Sequence, residues 1–148
     1  MSLTFVATAR LAVLARTTDP RTMLRRFLAA DAAVTGANGL AYLLASGPLG
    51  RFLGVDPGLL LGLGAFLTVY AAGVALLAAR ERPPALPVRV VIEANLAWTV
   101  LSLVSLVLWL TPSAAGAVWT PLQAVTVAGF AALQYLALRA ADDRTDTG

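Results

Sequence analysis

A chain of 148 residues that is 59% hydrophobic, has a mean hydropathy of +0.79 and contains no Lys, His or Cys has the composition of a small integral membrane protein with no room for a second domain. Without Cys there is no disulfide or thiolate chemistry, and without His the commonest proton shuttle and metal ligand is missing, so redox and metal enzymes are disfavoured and no metal or cofactor is expected. The net charge of +3 comes from arginines that flank apolar runs, which makes nucleic acid an unexpected partner.

The amino-terminal stretch "MSLTFVATARLAVLARTTDP" has a short apolar run broken by Arg10 and no small-residue cleavage site before the following arginines, unlike a signal peptide. It reads as an interfacial amphipathic helix, with Phe5, Leu11 and Leu14 toward lipid, or as a dispensable segment ahead of a natural start at Met23. Residues 1–22 are set apart from a transmembrane domain over 23–140, and 141–148 form a polar tail.

Four runs, 27–44, 59–79, 88–110 and 117–138, approach or exceed the roughly 20 residues of helix that cross a hydrocarbon core. The segments between them, "SGPLGRFLGVDPG", "RERPPALP" and "TPSAAG", each contain proline and read as loops. The expected fold is all-α, an integral membrane four-helix bundle. Ten of the eleven arginines fall on one side of it, Arg51 alone on the other, which directs both termini to the cytoplasm of a bacterial cell.

At 100° per residue, Asp31, Thr35, Asn38 and Tyr42 of the first span lie within about 40° of one direction. The second span offers Gly64, Thr68, Ala72, Ala75 and Ala79 as a small-residue face for close helix approach. On the third, Asn95, Trp98, Ser102, Ser105 and Trp109 share a face, and on the fourth Trp119, Gln123, Phe130 and Gln134 do. Polar atoms in lipid need partners, so these stripes point inward. Trp109, Trp119 and Tyr135 also suit an interfacial aromatic belt.

Counting 1.5 Å per residue from the nearest arginine puts Asp31 and Gln134 roughly 7 to 8 Å deep and Asn95 about 9 Å deep, in one layer. Asn38, Ser102 and Gln123 form a second layer nearer the outer face, with Tyr70 between the two. Glu93 shares the depth of Asp31 but points about 160° away from the Asn95 stripe. It either pairs with Arg89 one turn earlier or, if the helix rotates, joins Asp31 as a second catalytic carboxylate. Asp31 in turn is either a structural partner of Arg25, Arg89, Asn95 and Gln134 or a working acid, since an intramembrane carboxylate is a functional candidate by default.

A faint echo links "TVYAAGVALLAAR" to "TVAGFAALQYLALR", and Arg26–Asp31 to Arg89–Glu93, as a parallel duplication of two-helix units would. "DAAVTGANGLAY", "LGAFLTVYAAGVALLAAR" and "NLAW" together resemble a group of small four-span integral membrane proteins of actinobacteria. The resemblance covers residues 24–139, implies the four-helix architecture and carries no activity.

Three functions fit. In the first, a lipid- or isoprenoid-like molecule enters from the bilayer and is bound, or acted on by isomerase- or cyclase-type acid–base chemistry. Asp31 and Glu93 would be the catalytic groups, and Thr35, Asn38, Tyr42, Tyr70, Asn95, Trp98, Gln123, Phe130 and Gln134 the binding groups. In the second, Asp31 couples proton movement to transport, which a chain this small would do as a homo-oligomer. In the third, the stripes dock a partner within a larger membrane complex. Membrane lipids surround the chain in all three.

Overall fold

The computed structural model describes residues 19–108 and 113–146, whose regular elements are all helices: α1 (Pro20–Leu44), α2 (Ser46–Leu53), α3 (Pro57–Ala79), α4 (Ala85–Leu108) and α5 (Ala114–Asp146). The expected amino-terminal interfacial helix and Trp109 lie outside the described residues. Helices α1, α3, α4 and α5 are each long and apolar enough to cross a membrane, and together they make the four-helix bundle of a multi-pass membrane protein.

Local chemistry sets the boundaries. Pro20 stands in the first turn of α1, where a missing N–H costs nothing. Pro48 cannot bond back to the Leu44 carbonyl and its ring crowds that group, and the chain breaks at Ala45 before resuming as α2. Gly54, with φ 69°, ends α2 in the left-handed conformation that glycine adopts without a Cβ clash. Asp56 then caps α3 by accepting a hydrogen bond from the Leu59 amide at 3.0 Å.

Three expectations change. The first inter-span segment is not all loop, because Leu49, Gly50 and Leu53 turn one face of α2 toward the bundle. The last helix does not stop near Arg139 but runs to Asp146, since residues 131–146 hold no Gly or Pro and are rich in helix formers. On α3, Gly64 is buried as expected, but the face continues through Leu67, Ala71, Val74 and Ala78, while Ala72, Ala75 and Ala79 point outward. The buried stripe follows the 3.6-residue period and is turned about 80° from the small-residue series.

Helix α1 is central, packing along α3 and α5, and α5 also packs along α4. At the α1–α3 crossing a Cβ on Gly39 would come within 2.9 Å of the Thr68 amide nitrogen, and one on Gly64 within 2.9 Å of both the Gly39 carbonyl and the Leu43 amide. Only glycine lets these backbones approach so closely. By contrast, α3 and α4 scarcely touch.

The arginine-rich end holds the dense part of the core, built on Leu24, Leu28, Val74, Val88, Ile92 and Leu138. Arg25 Nε donates to the Ala78 carbonyl at 3.0 Å, Arg89 reaches Asp142 at 3.8 Å and Arg144 reaches Asp19 at 3.6 Å, so both described ends of the chain meet on one side of the bundle. The opposite end has only a small cluster around Tyr42, Leu60 and Leu67. Between the two clusters lie the buried polar residues and a cavity.

Candidate functional site

Three side chains from three helices meet beneath the cavity. Asp31 of α1 and Gln134 of α5 are fully buried, and Asn95 of α4 is 4% exposed. Asn95 Nδ2 donates to Asp31 Oδ2 at 2.8 Å and Gln134 Nε2 to the same oxygen at 2.7 Å, while Thr35 Oγ1 donates to Asp31 Oδ1 at 3.0 Å. Asn95 Nδ2 also donates to Gln134 Oε1 at 3.2 Å, and Asn95 Oδ1 accepts from Tyr70 Oη at 3.0 Å. Three donors converge on the carboxylate, and each polar atom of Asp31, Asn95 and Gln134 is engaged, as a buried network must be to avoid a desolvation penalty. No arginine among the described residues enters it: Arg25 and Arg89 are held elsewhere.

Glu93 lies apart from this network. It is exposed on the far side of α4, in a groove with Arg89, Leu96, Tyr135, Arg139 and Asp142. Its expected partner Arg89 pairs instead with Asp142, because α5 extends a turn farther than expected and carries that carboxylate past the start of α4. Glu93 and Asp31 are therefore not brought together.

Above the network, toward the outer end, a cavity of about 490 Å³ separates the helices. Thr35, Asn38, Asn95, Gln123 and Thr126 supply its polar side chains, the Thr126 hydroxyl donating to the Leu122 carbonyl, and the rest of its lining is apolar or aromatic, including Phe66, Tyr70, Trp98, Trp119 and Phe130. Phe66 stacks with Trp98 (ring centroids 6.3 Å apart, planes 13° apart) and with Tyr70 (6.1 Å, 19°). These near-parallel rings line the side where α3 and α4 stand apart and meet through side chains. Phe66 and Leu101, which line the cavity, are also 56% and 64% exposed, and the cavity is not closed off from the surroundings of the bundle. Asp31 and Gln134 are not in its lining. Thr35 and Asn95 stand between the carboxylate and the cavity space.

The outer polar residues form a smaller set. Trp119 Nε1 donates to Tyr42 Oη at 3.0 Å and Tyr42 Oη donates to Gln123 Oε1 at 3.4 Å, so Trp119 turns inward rather than serving as a belt residue. Tyr135 stays exposed, accepting from Arg139 at 3.2 Å. Asn38 has no side-chain hydrogen bond among the described residues, and neither has Trp98 Nε1, which is buried. Ser102, expected in this layer, is half-buried but does not line the cavity. Phe66 and Thr99 carried no sequence signal. Phe66 is one apolar residue among many, and the Thr99 hydroxyl, 2.9 Å from the Asn95 carbonyl and 3.3 Å from that of Ala124, couples α4 to α5.

Burial also redraws the internal echo. Asp31 matches Asn95 rather than Glu93, since Leu24, Leu28 and Asp31 on α1 and Val88, Ile92 and Asn95 on α4 are buried at the same spacing. The same register pairs Arg25 with Arg89 and Thr35 with Thr99.

No family model, curated protein or solved structure matches this chain.

Proposed function

We propose that this protein is a binding protein of a bacterial cytoplasmic membrane, taking a lipophilic molecule from the bilayer into the cavity between α1, α3, α4 and α5. The observation that carries this reading is the cavity itself. Its volume of about 490 Å³ falls in the ~300–1,000 Å³ range of small-molecule pockets, and a mostly apolar lining with a few polar groups on one wall is their usual chemistry. Binding is favoured over acid–base catalysis because Asp31 lies behind Thr35 and Asn95 with its oxygens already occupied. Asp31 serves as a positioning residue that holds the floor of the site. The same screening argues against proton-coupled exchange at Asp31, which needs the carboxylate to meet its substrate.

Native mass spectrometry of the protein released from its own membranes tests this. A retained small molecule is expected, and it should be lost in Ala97→Trp, which places an indole at the cavity mouth without touching the network. Retention of nothing beyond bulk phospholipid by both proteins would overturn the reading.

A further inference from the structure

We infer that the cavity accepts a neutral lipophile whose polar end is a hydrogen-bond acceptor, an unsaturated carbonyl of the quinone or aryl-ketone kind, held by the side-chain amides of Asn38 and Gln123. This rests on the binding reading above and names the ligand's chemistry.

The argument begins with what the polar wall has left unspent. Asn95 uses both its NH2 group and its oxygen, and the Thr35 hydroxyl proton goes to Asp31. The Gln123 oxygen accepts from Tyr42, and its NH2 group has no partner among the described residues. Asn38 is wholly uncommitted among the described residues. Beside the Asn38 oxygen, the open capacity among the described residues is N–H: the NH2 groups of Asn38 and Gln123 and the buried Trp98 Nε1, and N–H groups at this depth have no bulk water to satisfy them. A carbonyl oxygen would accept from them, whereas a lone hydrocarbon would leave them unpaired.

Charge narrows the class. Among the described residues no Arg, Asp or Glu lines the cavity, so an ionised head group would enter without a counter-charge from them in contact, at a cost that a neutral carbonyl avoids. Shape narrows it further. The rings of Trp98, Phe66 and Tyr70 are close to parallel, and a flat unsaturated head can lie against such faces while its alkyl tail leaves between α3 and α4.

The test uses three probes of one size in nanodiscs, each carrying bromine to quench tryptophan fluorescence: bromophenyl decyl ketone, bromophenyl decane, and a bromobenzyl decyl dimethylammonium cation. Saturable quenching by the ketone is expected, with the hydrocarbon and the cation about tenfold weaker or worse, roughly the worth of one hydrogen bond. Asn38→Leu breaks no bond among the described residues. It should weaken the ketone severalfold and leave the hydrocarbon unchanged, which a purely structural role for Asn38 would not produce. Equal binding of ketone and hydrocarbon, or tightest binding of the cation, would overturn the inference. The cavity reading would survive that result if Ala97→Trp still abolished saturable quenching. Quenching by all probes that Ala97→Trp leaves unchanged would overturn both. Should Asn38→Leu fail to fold, the comparison of ketone with hydrocarbon in the parent protein decides alone.

Discussion

Gln134 donates a hydrogen bond to Asp31 at 2.7 Å, joining two fully buried side chains from the first and last spans. With Asn95 beside them, the pair ties together three of the four spanning helices at one depth. The network thus both cross-links the bundle and underlies the cavity.

Replacing Asp31 separates shape from charge. In Asp31→Asn the new carbonyl oxygen can accept from both Asn95 and Gln134, and the new NH2 can face the Thr35 hydroxyl, which rotates to accept. Thermal melting in detergent should move by only a few degrees. Asp31→Leu leaves the Gln134 amide nitrogen and the Thr35 hydroxyl without their acceptor and Asn95 Nδ2 with Gln134 alone, at roughly 1–3 kcal/mol for each buried group orphaned, so a large fall is expected. An equally large fall for Asp31→Asn would mean that charge, rather than hydrogen-bond geometry, holds the layer.

The helix crossing offers a steric prediction. Gly64→Ala puts a Cβ 2.9 Å from two backbone atoms of α1, which cannot swing aside as a side chain could, and should destabilise the fold by about 1–3 kcal/mol. Gly73→Ala meets nothing within 4 Å and should be neutral or stabilising by up to ~1 kcal/mol through helix propensity. Melting curves that rank the two in the opposite order would refute the close α1–α3 approach.

Orientation can be read by labelling, because the chain has no native cysteine. Gly47→Cys at the start of α2 and Glu81→Cys after α3 lie at opposite ends of the bundle. A membrane-impermeant maleimide added to intact cells should label Gly47→Cys alone, as the arginine bias requires. Labelling of Glu81→Cys alone would invert the topology.

Starting the chain at Met23 removes Asp19 and its pairing with Arg144 at 3.6 Å, where both side chains are more than half exposed. An exposed pair of this kind contributes ~0–1 kcal/mol, and Leu24 and Leu28, which anchor α1 in the core, are retained. Insertion and melting temperature should be nearly unchanged. Loss of folding would show that residues before Met23 pack against the bundle.

The four spans and the depth of their polar residues were legible in the sequence because both are local properties. Hydropathy over a helix length identifies a span, and the fixed rise per residue from an arginine anchor gives a depth without knowledge of any neighbour. The shared layer of Asp31, Asn95 and Gln134 followed from that arithmetic alone. Rotation and spacing between helices were not local. The pairing of Arg89 with Asp142, the displaced buried face of α3 and the gap between α3 and α4 each depend on which side chains interlock across helices. The same apolar composition permits several such packings, and only the assembled bundle selects one. The cavity is the result of that selection: glycines draw α1 against α3, Thr99 and the core couple α4 to α5, and the space left between the two pairs belongs to no single segment of the chain.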